Sequence, residues 1–232
     1  MALRALVFDV DGTLADTERD GHLPACNEAF ATLGFPIRWT WEKFVALQHV
    51  QGNALRMRMA LEGLDPKLPP TEIETAASRL KVLKRQLYVE KYLPRLDLRP
   101  GIAATVEAAV ARGLRLAIVS TSDEAQIHAL LGQKLPHAAA HFRPVLGKES
   151  GKKIAPESPL YRRCLAELGT PPEETVAIED SALGARAAVA AGLPCAVFYN
   201  HYTFGDDFSG ARLVARSLEH FDLDLLEALC LP

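Results

Sequence analysis

Five short apolar runs, separated by helical patterns, constrain the fold more than any other feature of the sequence. They read RALVFDV, LRLAIVS, FRPVLG, ETVAIED and PCAVFY, and they are apolar throughout instead of alternating with polar residues. Strands of this kind are covered on both faces, as in parallel sheets. The helical patterns between them are GIAATVEAAVARG, DEAQIHALLGQ, SPLYRRCLAELG and SALGARAAVAAG. The alternation predicts an α/β fold with a parallel sheet and right-handed crossover connections.

The connection after the first strand departs from this pattern. Residues 16–95 contain helical patterns such as CNEAFATLG, TWEKFVALQ, ALRMRMALEG and IETAASRLKVLKRQLYVEKYL, with no convincing strand. We therefore expect two domains. Residues 1–15 and 96–232 form the α/β core, and residues 16–95 form an inserted helical domain. This insertion is expected to act as a small cap over the functional edge of the sheet.

Composition excludes several classes of protein. The 232 residues are 49% hydrophobic with a formal net charge of -3, and no basic stripe with interleaved aromatics is present. We therefore expect no nucleic-acid partner. No apolar run approaches the roughly 20 residues that span a bilayer, and the N-terminus does not read as a signal peptide. Four widely spaced cysteines are expected to be reduced and mostly buried. The sequence predicts a soluble, cytoplasmic protein without a membrane partner.

The pentapeptide DVDGT ends the first predicted strand with two acids, Asp9 and Asp11. Carboxylates at the end of a buried strand are costly to desolvate, which indicates a cation or another partner nearby. Gly12 permits a tight turn that can separate the two side chains. One carboxylate can then bind a divalent cation and attack phosphorus, while the other moves a proton. A strand followed by an ordinary Asp-Gly turn is the alternative.

Two further segments place phosphate-binding groups near strand ends. The second predicted strand delivers Ser120, Thr121 and Ser122 to a helix N-terminus, where hydroxyls and free backbone N–H groups can bind an anion. A plain helix N-cap is the alternative. The segment GKESGKKIAPESPLY carries Lys152 and Lys153 ahead of a helix that opens with proline. A lysine there can neutralise phosphate charge, and a solvated basic loop is the alternative.

A second pair of acids, Glu179 and Asp180, ends the strand in TVAIEDSALGARAA. Hard oxygen ligands are what Mg²⁺ prefers. A helix-capping acid is the alternative for Asp180, but it leaves Glu179 unexplained. The carboxyl ends of parallel strands form the ligand-binding edge of such sheets. The four segments should therefore meet at one edge.

In their order along the chain, these segments resemble the four motifs of the haloacid dehalogenase (HAD) superfamily of phosphohydrolases. The resemblance covers nearly the whole chain. It implies a Rossmann-like α/β core with an inserted helical cap of the type-one class. Within the superfamily the chain is most similar to the CbbY-like branch, which also includes relatives of β-phosphoglucomutase. The segments DTERDGHLPACNEAF, LRPGIAATVEAA, AIEDSALGARAAVAAGLP and HYTFGDDFSGARLV carry this likeness.

The resemblance also implies roles for individual residues. Asp9 is the implied nucleophile, forming an aspartyl-phosphate, and Asp11 the implied general acid/base, with its backbone carbonyl on Mg²⁺. The spacing to APE favours Lys153 over Lys152, although isoleucine follows it where the motif usually has proline. The implied catalytic set is Asp9, Asp11, Ser120 and Lys153, and the implied metal set is Asp9, Asp11, Glu179 and Asp180. The implied substrate contacts are Thr121, Asp16, Thr17, His22, Arg56 and Lys84.

Proteins of this branch dephosphorylate sugar bisphosphates such as xylulose 1,5-bisphosphate. We therefore expect a Mg²⁺-dependent phosphatase, a monomer, acting on a small sugar phosphate or bisphosphate. A sugar phosphomutase of the β-phosphoglucomutase type uses the same core and is the nearest alternative. A non-catalytic phosphosugar-binding protein is another, but binding alone needs no nucleophile–acid pair. A dehalogenase needs neither Asp11 nor the second pair of acids, and a dinucleotide-binding protein needs a G-x-G-x-x-G that is missing after the first strand.

Overall fold

The computed structural model describes residues 2–50 and 52–231, which divide into two compact units. One unit contains the residues up to Asp16 and from Asp97 onward, and the other is Thr17–Leu96. The first is built on a six-stranded, entirely parallel sheet with the strand order β3-β2-β1-β4-β5-β6. The predicted α/β fold with a parallel sheet is confirmed.

The strands and helices of the first unit alternate along the chain. The strands are β1 (Ala5–Phe8), β2 (Arg115–Val119), β3 (Phe142–Leu146), β4 (Thr175–Glu179), β5 (Cys195–Phe198) and β6 (Leu213–Ala215). The helices of this unit, numbered after the four of the second unit, are α5 (Ile102–Ala111), α6 (Glu124–Lys134), α7 (Pro159–Leu168), α8 (Ala182–Ala190) and α9 (Leu223–Ala228). The sequence reading missed the three-residue strand β6, which is only partly buried and too short to show a pattern.

The apolar core of the first unit explains why its central strands show no alternation. Every residue of β1, β4 and β5 is buried, because side chains on both faces of the sheet are covered. One core cluster joins Val7, Ala117 and Ala177 of the sheet to helices α7 and α8. Burial on both faces fixes the strands rigidly, so the residues that follow them are held at defined positions.

The second unit is helical. Its α-helices are α1 (Leu23–Thr32), α2 (Trp41–Ala46), α3 (Asn53–Glu62) and α4 (Pro70–Leu87). A π-helical turn, Glu18–His22, precedes α1, and another, Tyr88–Tyr92, follows α4. The unit has its own core, in which Phe30, Trp39 and Phe44 pack together with Met57 and Leu80. Within the described residues, no helix combines the length and apolar character needed to traverse a bilayer.

Candidate active site

The register of the sheet brings the two pairs of acids together. In β1, Phe8 lies opposite Ile178 of β4, and the backbone N–H of Asp9 donates to the carbonyl of Ile178 over 3.0 Å. Asp9, the first residue after β1, therefore lies beside Glu179, the last residue of β4. Strand β2 pairs with the other edge of β1, so Ser120 follows the neighbouring strand. Three adjacent strand ends thus supply the site.

The loop after β1 turns sharply at Gly12. Its φ of 85° is in the left-handed region, and a Cβ atom there would lie 2.3 Å from Oδ2 of Asp180. The backbone N–H of Gly12 donates to the carbonyl of Ala15 over 2.9 Å, which closes the turn. Glycine is therefore required both by the backbone conformation and by the close approach of Asp180.

The turn places the two acids of DVDGT in different surroundings. Asp9 is buried and accepts from Lys153 Nζ over 2.6 Å. Asp11 is half-buried, and its Oδ2 accepts a hydrogen bond from the hydroxyl of Ser122. Ser120 is buried, and its hydroxyl accepts from the backbone N–H of Ser122 over 3.2 Å. Thr121, between them, is exposed.

Lys153 is the buried cation of the site. Its Nζ lies 2.6 Å from Oδ1 of Asp9 and 2.6 Å from Oε1 of Glu179. Burial alone lowers the pKa of a lysine, but the two carboxylates outweigh it, and the pKa of Lys153 lies above its ordinary value. Lys152, by contrast, is exposed. The structure thus brings Lys153, and not Lys152, to the two carboxylates.

Asp9, Glu179 and Asp180 form a buried group that could hold a metal ion. Each offers a carboxylate oxygen, and these oxygens lie within 4.8 Å of one another. Burial raises the pKa of Glu179 to about 7. The positive charge of Lys153 lowers this pKa, and the negative charge of Asp9 raises it. Burial, and then the charges of Asp9 and Glu179, raise the pKa of Asp180 well above its usual range. Burial and mutual repulsion disfavour the charged forms of these carboxylates, and the charges of Lys153 and, at Asp180, of Arg99 offset this only partly.

Glu179 gives a direct test of whether a cation fits. Its Oε1 accepts from Lys153 and, over 2.5 Å, from the hydroxyl of Tyr161. Its Oε2 is buried and has no hydrogen-bond partner among the described residues. A buried oxygen anion without a donor is costly unless a cation or an ordered water meets it. An oxygen-only group with such an orphaned atom suits Mg²⁺, directly or through water.

The residues between 16 and 84 that were predicted to contact substrate differ in burial and in their hydrogen-bond partners. Asp16, which ends the first of the two segments of the first unit, is half-buried. Thr17 and His22, in the second unit, are buried. Lys84 is also buried, with its Nζ 3.0 Å from Nδ1 of His22 and 5.0 Å from the ring centre of Tyr88. The structure thus joins His22 to Lys84, which are 62 residues apart in the sequence.

Arg56 is buried and binds the loop that precedes its own helix. Its Nε donates to the carbonyl of Val50 over 2.8 Å, and its Nη2 donates to that of Gln48 over 3.3 Å. Its guanidinium also lies 5.5 Å from the ring centre of Phe44. These contacts hold Arg56 against Gln48 and Val50, while its role in binding substrate stays a prediction.

Sequence reasoning missed several residues around the acidic group. The hydroxyl of Tyr161, on α7, donates a hydrogen bond to Glu179. Gly184 also packs against Glu179, because a Cβ atom at Gly184 would lie 2.0 Å from Oε2 of Glu179. Asn200 donates to Oδ2 of Asp180 over 2.8 Å. Asn200 lies two residues beyond the end of β5, so the strand-end rule that found Asp9 points to it as well. Nothing local distinguishes Tyr161 from a core aromatic residue.

Comparison with known proteins agrees with this architecture. A family model described as haloacid dehalogenase-like hydrolase matches residues 3–192. Protein CbbY of Rhodobacter capsulatus is 39% identical over 215 residues, which are 91% of this chain and 92% of that protein. A CBBY-like protein of Arabidopsis thaliana is 34% identical over 231 residues, with 94% and 72% of the two chains covered.

Solved structures give the same result. CbbY from Rhodobacter sphaeroides in complex with phosphate superposes with a TM-score of 0.79 at 33% identity, covering 94% of this chain and 96% of that one. A mutant of the same protein, in complex with xylulose 1,5-bisphosphate, gives a TM-score of 0.82 at 33% identity, with 97% and 99% covered.

The sheet presents buried carboxylates and a lysine at its carboxyl edge, and this chain belongs to the haloacid dehalogenase-like hydrolase family. Within the family it belongs to the CbbY-like branch. The expected superfamily, its branch and the expectation of an enzyme of the phosphatase class are confirmed.

Proposed function

We propose that this protein is a Mg²⁺-dependent phosphomonoesterase that acts on a small phosphorylated sugar, specifically a sugar bisphosphate of the xylulose 1,5-bisphosphate kind. The observation that carries the proposal is the buried group of Asp9, Glu179 and Asp180 with Lys153 among them. The substrate class is supported by the CbbY complex with xylulose 1,5-bisphosphate, which this chain matches over 97% of its length.

Asp9 is the proposed nucleophile. One of its oxygens attacks phosphorus, a P–O bond forms to Asp9, and the bond between phosphorus and the sugar oxygen breaks. Burial raises the pKa of Asp9, while the charge and hydrogen bond of Lys153 oppose that rise. Lys153 thereby favours the anionic form that can attack, and its second contact with Glu179 fixes its position.

Asp11 is the proposed proton carrier. It has a different partner, the Ser122 hydroxyl, and is more exposed than Asp9, so it can reach the leaving oxygen. In the first step it protonates the sugar oxygen as that oxygen leaves. In the second it removes a proton from water, which attacks the phosphorus of the aspartyl-phosphate and releases inorganic phosphate. The buried hydroxyl of Ser120 and the backbone N–H of Thr121 are the proposed phosphate contacts.

Asp9, Glu179 and Asp180 would hold Mg²⁺, and the backbone carbonyl of Asp11 is a further proposed ligand. When bound, Mg²⁺ supplies positive charge that offsets the repulsion between the phosphate and the attacking carboxylate. The orphaned Oε2 of Glu179 and the raised pKa values of the three acids support this assignment. Asp16, Thr17, His22, Arg56 and Lys84 are the residues proposed to contact the sugar.

The test is phosphate release from a panel of sugar bisphosphates, sugar monophosphates and phosphoglycolate, with Mg²⁺ and with EDTA. We expect turnover only with Mg²⁺, and Asp9→Asn to lower kcat by at least about 10³-fold because it removes the nucleophile. Asp206→Asn, which makes the same change at an exposed acid, is the matched control and should retain activity. Full turnover by Asp9→Asn would exclude the covalent mechanism. An isomerised sugar phosphate in place of inorganic phosphate would identify a mutase instead.

A further inference from the structure

Asn200 connects the loop after β1 to Asp180, the acid that follows β4. It is buried, and its Nδ2 donates over 2.9 Å to the carbonyl of Gly12 and over 2.8 Å to Oδ2 of Asp180. These two oxygens are acceptors at the shortest distances from Nδ2, so the two N–H bonds of a single amide group can satisfy them at once, while the hydroxyl of Tyr202 lies farther away, at 3.3 Å. Asn200 is itself anchored, because its backbone N–H donates to the hydroxyl of Thr203 over 2.8 Å.

Arg99 holds the same loop from a different direction. Its Nη1 donates to the carbonyls of Gly12 and Phe198 over 2.5 and 2.6 Å. Its Nη2 donates to the carbonyls of Tyr199 and Arg216, each over 3.0 Å. One guanidinium therefore fastens the loop after β1 to the ends of β5 and β6. The carbonyl of Gly12 receives donors from both Arg99 and Asn200.

The result is that Asp180 and the turn after β1 are fixed relative to each other. Oδ1 of Asp180 accepts from the hydroxyl of Thr13 over 3.4 Å, and Oδ2 accepts from Asn200. The N–H and the carbonyl of Gly12 are both hydrogen-bonded, so the peptide groups on either side of Gly12 have a defined orientation. The peptide before Gly12 includes the carbonyl of Asp11.

We propose that Asn200, supported by Arg99, is a positioning residue for the metal site: it orients the Asp180 carboxylate and the turn that contains Gly12 so that they can hold a divalent cation. The inference rests on the proposed function, because it concerns the same metal site. Groups that hydrogen-bond metal ligands orient them and are typically worth 10- to 100-fold in metal affinity or activity. Asn200 has the contacts of such a group toward Asp180.

A structural role alone makes a different prediction from a positioning role. If Asn200 only stabilised the fold, removing it would lower the melting temperature and leave the affinity for the cation unchanged. If it positions Asp180, the affinity falls even where the variant is fully folded. Affinity for the cation, measured without substrate, therefore separates the two.

The experiment is titration of the full chain with Mg²⁺ by isothermal calorimetry, repeated with Mn²⁺ and followed by electron paramagnetic resonance. We expect Asn200→Ala to weaken binding of either ion by about tenfold or more. Asn27→Ala is the matched control, because Asn27 also makes two hydrogen bonds through its amide, to the backbone of Trp39. We expect it to lower stability without changing the affinity by more than about twofold.

Thr203→Val gives a second, nearly isosteric variant if Asn200→Ala does not fold. It removes the hydroxyl that anchors the Asn200 backbone, and we expect weaker binding of both ions. A folded variant of either kind with wild-type affinity overturns the inference and leaves the proposed function intact. A wild-type chain that binds neither ion overturns the metal site itself, and the inference with it.

Discussion

Lys153 is the residue on which the charge balance of the acidic group depends. Its ammonium is buried and bridges Asp9 and Glu179, each over 2.6 Å. Removing one partner of a buried ion pair is far more costly than removing an exposed charge, because the remaining charge stays desolvated. The energetic importance of Lys153 therefore follows from its surroundings and not from its residue type.

The two adjacent lysines give a direct test of this difference. We expect Lys153→Ala to lower the free energy of unfolding by about 3 kcal/mol in metal-free buffer at pH 8, because it leaves Asp9 and Glu179 without their cation. Lys152→Ala removes a lysine side chain from an exposed position and should change the free energy of unfolding by no more than about 0.5 kcal/mol. Urea denaturation measures both. Equal effects would contradict the assignment of Lys153 as the buried cation.

At the scale of secondary-structure elements, the site depends on how closely helix α8 approaches the end of β4. The first turn of α8 contains Gly184, whose N–H donates to the hydroxyl of the N-cap, Ser181. A Cβ at Gly184 would lie 2.0 Å from Oε2 of Glu179. The helix can pack against the buried carboxylate only because this residue has no side chain.

A comparison of two helical glycines tests this packing. We expect Gly184→Ala to lower the free energy of unfolding by about 1–3 kcal/mol, because Glu179 must move within a packed core. Gly132, in α6, is the matched control, since a Cβ there would meet nothing within 4 Å. Gly132→Ala should raise the free energy of unfolding by about 0.5–1 kcal/mol through its higher helix propensity. Thermal and urea denaturation measure both changes in stability. A stabilising effect of Gly184→Ala would contradict the close packing of Gly184 against Glu179.

At the scale of the whole molecule, each of the two units has its own apolar core. Helices α7 and α8 pack on the sheet in the first unit, and Phe30, Trp39 and Phe44 are central in the second. All four cysteines are free and buried in the structure, in agreement with the burial expected for them. Burial raises the pKa of Cys26 and of Cys164 to about 12.

The burial of the four thiols predicts how they react. The cysteine thiolate attacks the disulfide of Ellman's reagent and releases its thiol leaving group, so a buried cysteine with a raised pKa reacts only when the protein opens. We expect no rapid reaction in the folded protein at pH 8 and four equivalents of reacted thiol in guanidinium chloride. A fast equivalent in the folded protein would mean that at least one cysteine is accessible, contrary to its burial in the structure.

Local patterns in the sequence were enough to predict the parallel sheet and several carboxylates of the site. Runs that are apolar throughout require strands covered on both faces, and acids at the carboxyl ends of two such strands must lie at the same edge when the strands are parallel. Asp9 and Glu179 follow from this local pattern. The choice of Lys153 over Lys152 followed from motif spacing, and the structure places it between the two carboxylates.

The side chains that support those acids became apparent only in the folded chain. Tyr161 meets Glu179, and Asn200 meets the carbonyl of Gly12, which is 188 residues away in the sequence. Such contacts depend on the strand register and on how closely helices pack, and neither is encoded in a local pattern of residue types. The sequence pattern therefore indicates which strand ends carry the charged residues, while the packing of the fold determines which side chains hydrogen-bond to them.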